Sequence, residues 1–438
     1  LVKPDLPCSS QPPTRLLIIG YVWPEPGSSA ASGHVMQLIQ CFLEHRWQIT
    51  FASPATEGEH KADLAGLGID EVRIELNSSS FDTFITELAP DVVLFDQFMI
   101  EEQFGWRVEQ HCPNALRILE TSDLQSLRHT RHQLLKDYLK ETTQADDFKA
   151  LFDAEQSDLY RSMAMTDLAQ REIAALYRCD LNLMTSDVEI ELLTRRFGLP
   201  TSILHWCPLM LDAIPETAAS YEQRAHFLTI GNFRHAPNWD AVLWMKTAIW
   251  PLIRQQLPDA QFHVYGAYTP PKATALHNAA QGFHIMNRAD DALEVMSKAR
   301  VCLAPVRFGA GIKGKLIDAM LCGTPSVTTP VGAEAMGDVA GRWPGLIAHS
   351  ARGLADAAVR LYRERDIWQQ AQTDGFALLD ARYRQARHCA SLMERIATLR
   401  RDLPAHRLGN FTGTMLRHHH LKSTKYMAQW IEAKNRKA

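Results

Sequence analysis

The chain has 438 residues, 46% apolar and 22% charged, the balance of a soluble globular protein with room for two to three domains. No run approaches 18 uninterrupted apolar residues, which argues against a membrane-spanning helix. The net charge of −4 is uneven: from Arg382 onward 13 Lys and Arg face 3 Asp and Glu, a net +10, and the remainder carries −14, which predicts an anionic contact for the tail.

Residues 1–13, LVKPDLPCSSQPP, are Pro- and Ser-rich and read as loose chain. RLLIIG (15–20) is a short apolar run closed by glycine, a buried strand by length and flanks. A Gly/Pro/Ser loop follows, then HVMQLIQCFLEH, with Val35, Leu38, Ile39, Phe42 and Leu43 at helical spacing, and QITFAS (48–53) returns to strand. This is one βαβ unit. Further strands are expected at EVRIEL (71–76), DVVLFD (91–96) and LRILE (116–120). Residues 127–177 read as a long, charged, mainly helical insert, and DLNLMTS (180–186) as the next strand.

Around 205–225 Pro, Ala and Ser break the pattern, and then the rhythm restarts: HFLTIG (226–231), a helix over 240–257, AQFHVYG (260–266), GFHIM (282–286), RVCLAPV (300–306) and PSVTT (325–329). All-apolar strands alternating with amphipathic helices predict parallel sheets covered on both faces. The fold class is therefore α/β, with two successive Rossmann-like domains divided near 206–224. Eight cysteines, at 8, 41, 112, 179, 207, 302, 322 and 389, form no C-x-x-C, and several lie in apolar runs. They read as buried free thiols in a reducing, cytoplasmic setting.

The stretch GAGIKGKLIDAM (309–320) fits three phosphate-binding descriptions. It follows the strand RVCLAPV and opens a helix whose Ile312, Leu316, Ile317, Met320 and Leu321 share a face, with Gly323 at the stop position. Glycine-rich backbone amides and a helix N-terminus attract an anion, and Lys313 and Lys315 add full charges. A tight glycine-rich turn with no ligand remains the plain alternative. The P-loop description fails because Leu316 stands where Ser or Thr would hold Mg²⁺. The dinucleotide description fails on position, since that fingerprint belongs to the first βα turn of its domain and Glu334 is poorly spaced for a ribose contact.

The third description rests on a longer run. PVRFGAGIKGKLIDAMLCGTPSVTTPVGAEAM resembles the donor site of GT-B glycosyltransferases, particularly retaining family 4. LTIGNFRHAPNWDAVLWMKTAIWPLI (228–253) resembles the first βα turn of their C-terminal domain, and PPTRLLIIG with SGHVMQLIQCFLEHRWQITFAS resembles their first N-terminal unit. The resemblance spans 14–390 and is most specific in its second half. It implies an N-terminal acceptor-side domain (14–205), a nucleotide-sugar domain (206–380) facing it across a cleft, and C-terminal helices with a basic tail (381–438). It also implies sugar transfer from a nucleoside-diphosphate sugar, of hexosyltransferase type, with retention and without metal or cofactor.

The resemblance carries over residue by residue. Of the family's two carboxylates eight residues apart, the second, which grips the ribose, is Asp318, and the first falls on Ala310. That leaves the backbone of Gly309, Gly311, Ile312 and Lys313, together with Lys315, to hold phosphate and sugar. A surface salt bridge is the bland alternative for Lys315 and Asp318, which share a helix face. Gly231 sits on the first turn of the second domain; Asn232 takes the place of the cation that neutralises the leaving diphosphate, with Arg234 and Arg307 as substitutes. Gly33 resembles the glycine that brings the first helix near the diphosphate, with an ordinary helix-start glycine as the alternative. In RILETSDLQSLRHTRH, Asp123 and Arg128 match the cleft-facing motif, His129 lies near its histidine, and Asp123 is equally suited to N-cap the next helix.

The tail 404–438 interleaves basic residues with Phe411, Tyr426 and Trp430. It reads either as helices crossing back onto the first domain or as a contact for an anionic acceptor: a glycan, a lipid-linked glycan at the inner membrane face, or nucleic acid. The histidines at 418–420 are adjacent and do not share a helix face, so they are not expected to bind metal. A GT-B relative that binds nucleotide-sugar or glycan without catalysis is the alternative function.

Overall fold

The computed structural model describes residues 12–142, 146–215, 217–338 and 340–436, so most of the stretch 1–13 lies outside the described residues. The first lobe is a seven-stranded sheet of β1 (Arg15–Ile19), β2 (Gln48–Ser53), β3 (Asp70–Arg73), β4 (Val92–Asp96), β5 (Leu116–Thr121), β6 (Leu181–Met184) and β7 (Leu204–Trp206), in the order 3-2-1-4-5-6-7. The second is a six-stranded sheet of β8 (Ala225–Ile230), β9 (Phe262–Tyr265), β10 (Phe283–Asn287), β11 (Ala299–Ala304), β12 (Ser326–Thr328) and β13 (Gly345–Ile347), in the order 10-9-8-11-12-13. The strand pairings are parallel throughout.

The apolar runs form strands because both sheet faces are buried. Leu17, Ile19, Val93, Phe95 and Leu119 pack into one cluster, while their chain neighbours Leu16, Ile18, Leu94 and Ile118 pack into the cluster on the other face. Each such side chain contributes about 1.5–3 kcal/mol by leaving water. Both sheets reverse strand order once, between β1 and β4 and between β8 and β11, and ligands of open parallel sheets bind beyond the carboxyl ends at these switch points.

Two strands add to those expected, and two local expectations are corrected. The three-residue strands β7 and β13 lie at sheet edges and are too short to carry a pattern. The helix expected over 240–257 runs as Ala236–Trp244 and Trp250–Gln256 around a π-helical turn at Met245–Ile249. Pro251 has no N–H to return to the Thr247 carbonyl, so the hydrogen-bond ladder shifts there. The cysteines are not all free: Cys41 and Cys389, 348 residues apart, form a disulfide, whereas Cys112, Cys179, Cys207, Cys302 and Cys322 are free. Only the packing of the helix Gln385–Arg401 against the helix Ala30–Glu44 brings that pair together.

The same packing shows how the lobes are joined. After the helix Arg365–Arg382 the chain crosses back, and Leu392, Ile396 and Leu399 enter the cluster built on Leu16, Ile18 and Val35. The insert reaches the other way. Leu135 and Phe148 lie in the core of the second lobe, Phe148 packs edge-on to Trp244, and its N–H bonds His349 O at 3.0 Å. Among the described residues no helix is long and apolar enough to cross a membrane.

Candidate active site

The loop after β11 leads into the helix Gly314–Leu321, which ends where Gly323 takes φ +63°. Gly311 also has φ +63°, and a Cβ on it would lie 2.5 Å from Ser122 O and 2.8 Å from Asp123 Cβ. Only glycine fits there, so the loop meets the opposite lobe backbone to backbone. Gly314 approaches Ala30 equally closely, 2.4 Å from an added Cβ.

Charged groups fix this contact. Gly311 N–H donates to Glu189 Oε1 at 2.5 Å, and Leu124 N–H donates to Glu189 Oε2 at 3.1 Å, so one buried carboxylate holds a loop from each lobe. Arg131 grips Glu334 through two 2.7 Å bonds and donates to Gly309 O at 2.9 Å. Lys313 Nζ turns back onto Gly311 O at 2.7 Å. Burial pushes the Glu189 carboxyl up, against the Gly311 hydrogen bond, and pushes the Lys313 ammonium down, against Glu334. Ile312 packs against the cluster holding Leu316 and Ile317.

At the second residue of the helix, Lys315 Nζ donates to Asn238 Oδ1 at 2.8 Å, which leaves Asp318 without the lysine. Burial alone raises the Asp318 carboxyl to about 6, with no hydrogen bond opposing it, and burial lowers Lys315 to about 8. Gly231 is required by Asn238, whose side chain would lie 2.6 Å from a Cβ there and bonds Asn232 O at 3.0 Å. Asn232 Oδ1 in turn accepts from Arg234 N–H. The two candidate cations differ. Arg307 is bound to Asp240 through bonds of 2.6 and 3.0 Å and lies over Phe148 and Trp244. Arg234 is exposed and stacks on Tyr268, 3.7 Å from the ring centre.

Across the cleft, Asp123 pairs with Arg128 and does not cap the helix Gln125–Glu141, whose cap residue is Leu124. Arg128, His129, Gln125, His132, Ala236 and Phe308 surround a cavity of about 250 Å³ between the lobes. His132 stacks flat on Phe308 at 4.2 Å. Gly33 lies inside the helix capped by Ser29, and a Cβ on it would meet nothing within 4 Å. A larger cavity, about 520 Å³, opens at the amino ends of β4 and β5, but its Arg400 and Arg407 are paired with Asp91 and Asp180. It lies away from the switch points.

The sequence reading did not single out a buried cluster at the carboxyl ends of β4 and β5. His34 Nδ1 lies 3.0 Å from Glu120 Oε1, and Ser122 Oγ donates to both Glu120 oxygens at 3.1 Å. Burial and the Glu120 charge raise the Asp96 carboxyl to about 8. Burial would lower His34, yet Cys207 and Glu120 raise it to about 10. The usable signal was position, since Asp96 closes β4, which flanks a switch point, and Glu120 pairs beside it on β5. Glu189, Arg131 and Glu334 carried no local signal. The histidines at 418–420 diverge, with His420 Nε2 on Glu102 O at 3.1 Å. Cys41, His45 and Cys389 have ligand-like spacing, but the two sulfurs are bonded to each other.

Two parallel sheets with facing carboxyl ends and a C-terminal helix that crosses back define a GT-B fold. Solved structures agree on this architecture. Anabaena HepE in complex with UDP and glucose superposes with a TM-score of 0.63 at 12% identity, covering 88% of this chain and 100% of that one. Sucrose-phosphate synthase from Thermosynechococcus elongatus gives 0.60 at 16% identity, over 88% and 99%. WaaG, a glycosyltransferase involved in lipopolysaccharide biosynthesis, gives 0.55 at 12%, over 84% and 95%. Within the second lobe, residues 224–364 match the family model for glycosyl transferases group 1. No curated protein sequence matches the chain significantly.

Proposed function

We propose that the protein is a glycosyltransferase that moves a sugar from a nucleoside-diphosphate sugar to an acceptor held by the first lobe. The observation that carries this reading is Asp318: a half-buried carboxyl without an opposing hydrogen bond, beside Lys315, inside the segment that matches glycosyl transferases group 1. A carboxylate left unpaired in low dielectric is costly, and two ribose hydroxyls would satisfy it. Uridine diphosphate sugars are the first donors to test, because HepE was solved with UDP and glucose.

In this reading the diphosphate lies between Lys315, Arg234 and the Ile312 amide, because Glu189 holds the Gly311 N–H and Met336 Sδ the Lys313 N–H, and these fixed charges and dipoles oppose the charge that develops as the glycosidic phosphate bond breaks. Asp123, Arg128 and His129 line the acceptor side, and closure of the lobes keeps water from the donor. Transfer is retaining, with the departing phosphate taking the acceptor proton on the same face, and needs neither metal nor cofactor. Titration with UDP, GDP and ADP tests the donor site, with binding expected for one of them and a large loss in Asp318→Asn. Equal affinity in that variant would defeat the assignment.

A second reading is favoured by one specific contact. Glu189 occupies the Gly311 amide, and Ala310 lacks the first carboxylate, as in a protein that senses nucleotide-sugar without transferring it. Tight binding with no turnover or donor hydrolysis across a panel of acceptors would support that reading.

A further inference from the structure

The helix Phe411–Asn435 lies on the first lobe by one side only. Among its described side chains Gly413, Arg417 and Ala428 are buried, Arg417 Nη1 donates to Arg178 O at 3.3 Å, and Glu432 Oε1 accepts from Ser79 Oγ at 2.6 Å. Among the described residues the opposite side has no partner. Phe411 is 72% exposed, Tyr426 67% and Trp430 64%, with Met415 among them. At 100° per residue, positions 411, 415, 426 and 430 fall within an arc of about 100°, the width of one helix face. Six of the sixteen exposed large apolar side chains among the described residues lie between 408 and 430. This concentration is a patch rather than the scatter normal for a surface.

The charge beside the stripe has one sign. Glu432 is the only acidic residue from 404 to the end and faces inward, where it also pairs with Arg436 at 2.8 Å, while Lys425 and Lys434 flank the aromatics. Lys434 Nζ sits 5.4 Å from the Trp430 ring centre. We propose that this face is a docking surface for an anionic phospholipid bilayer. Tyr and Trp suit the headgroup level, with an apolar body and a polar tip, and cations beside them meet lipid phosphates. A straight helix about 37 Å long presents a convex ridge, which fits a plane better than it fits a single nucleic-acid strand, whose binding sites are grooves. Two copies of the face would bring cations onto cations in a two-fold dimer. The inference is independent of which sugar is transferred.

The test is co-sedimentation of the full chain with phosphatidylcholine vesicles, with and without about one-quarter phosphatidylglycerol, at low and high salt. Each cation near an anionic surface strengthens binding about fivefold, so partitioning onto the anionic vesicles is expected to exceed the neutral ones by about tenfold or more and to fall with salt. Tyr426→Ser with Trp430→Ser is expected to lower it about tenfold. Lys425→Glu with Lys434→Glu should erase the preference for anionic lipid, both pairs keeping the wild-type melting temperature. No vesicle binding, equal binding to both vesicles, or aromatic variants that bind like wild type would overturn the proposal. So would an oligonucleotide complex or a dimer that these substitutions disrupt while vesicles are ignored.

Discussion

The two faces of the cleft are built in different ways. The second lobe presents one continuous loop and helix, 305–321, whose glycines, lysines and aspartate are neighbours in sequence. The first lobe presents His34, Asp96, Glu120, Asp123 and Glu189, drawn from five places along nearly 160 residues and assembled by the carboxyl ends of β4 and β5 and two helix starts. Their electrostatics differ accordingly. Asp318 waits without a hydrogen bond, whereas His34 and Glu120 already satisfy each other. An unpaired, half-buried carboxylate is ready for a ligand, while a paired one mainly stiffens its surroundings. Donor recognition should therefore be sensitive to substitutions in the second lobe, and stability to substitutions in the first.

The sharpest way to break this contrast is at the point where the faces touch. Gly311→Val adds a Cβ against the Ser122 carbonyl at a positive φ, and strain of about 1–3 kcal/mol together with lost closure predicts at least a ~100-fold fall in kcat/KM for transfer. Next is Asp318→Asn, which removes a charged acceptor and is expected to weaken nucleoside-diphosphate binding by about 10- to 100-fold in calorimetric titration.

That site also has a pH signature. With its folded value raised from 3.8 to about 6, the carboxylate form is lost as pH falls through 6, so wild-type affinity should drop there and the variant's should not. The linked stability runs the opposite way. The folded state holds the proton more tightly, so the contribution of Asp318 to stability is greatest below its unfolded value and declines as pH rises through 6.

His34→Gln sharpens the comparison from the first lobe. Melting should show a loss of about 2 kcal/mol near neutral pH with nucleotide affinity unchanged. The folded His34 value is raised to about 10, so its contribution is complete below its unfolded value of 6.5 and is lost as pH rises through 10. The gap between wild type and variant should close over that range. The smallest effect is expected at Glu189→Ala, which removes the bridge between lobes and frees the Gly311 amide. Diphosphate affinity should then rise about threefold, a coupling of roughly 0.6 kcal/mol. Weaker binding would mean that Glu189 positions the loop rather than competing with phosphate.

By itself the chain determined its periodicity, and with it the βα rhythm, the two lobes and the loop at 309–314. These signals are local, because strand burial and helix amphipathicity are written within ten or twenty residues. The tertiary structure alone decided that Cys41 meets Cys389, that Arg307 belongs to Asp240 and Lys315 to Asn238, and that Glu189 reaches Gly311. It also decided that the aromatics of the last helix face outward. Each of these outcomes depends on a partner far away in sequence, or on the absence of one. Hydrogen bonds and ion pairs act over a few ångströms, and no pattern along the chain encodes which distant groups will come that close.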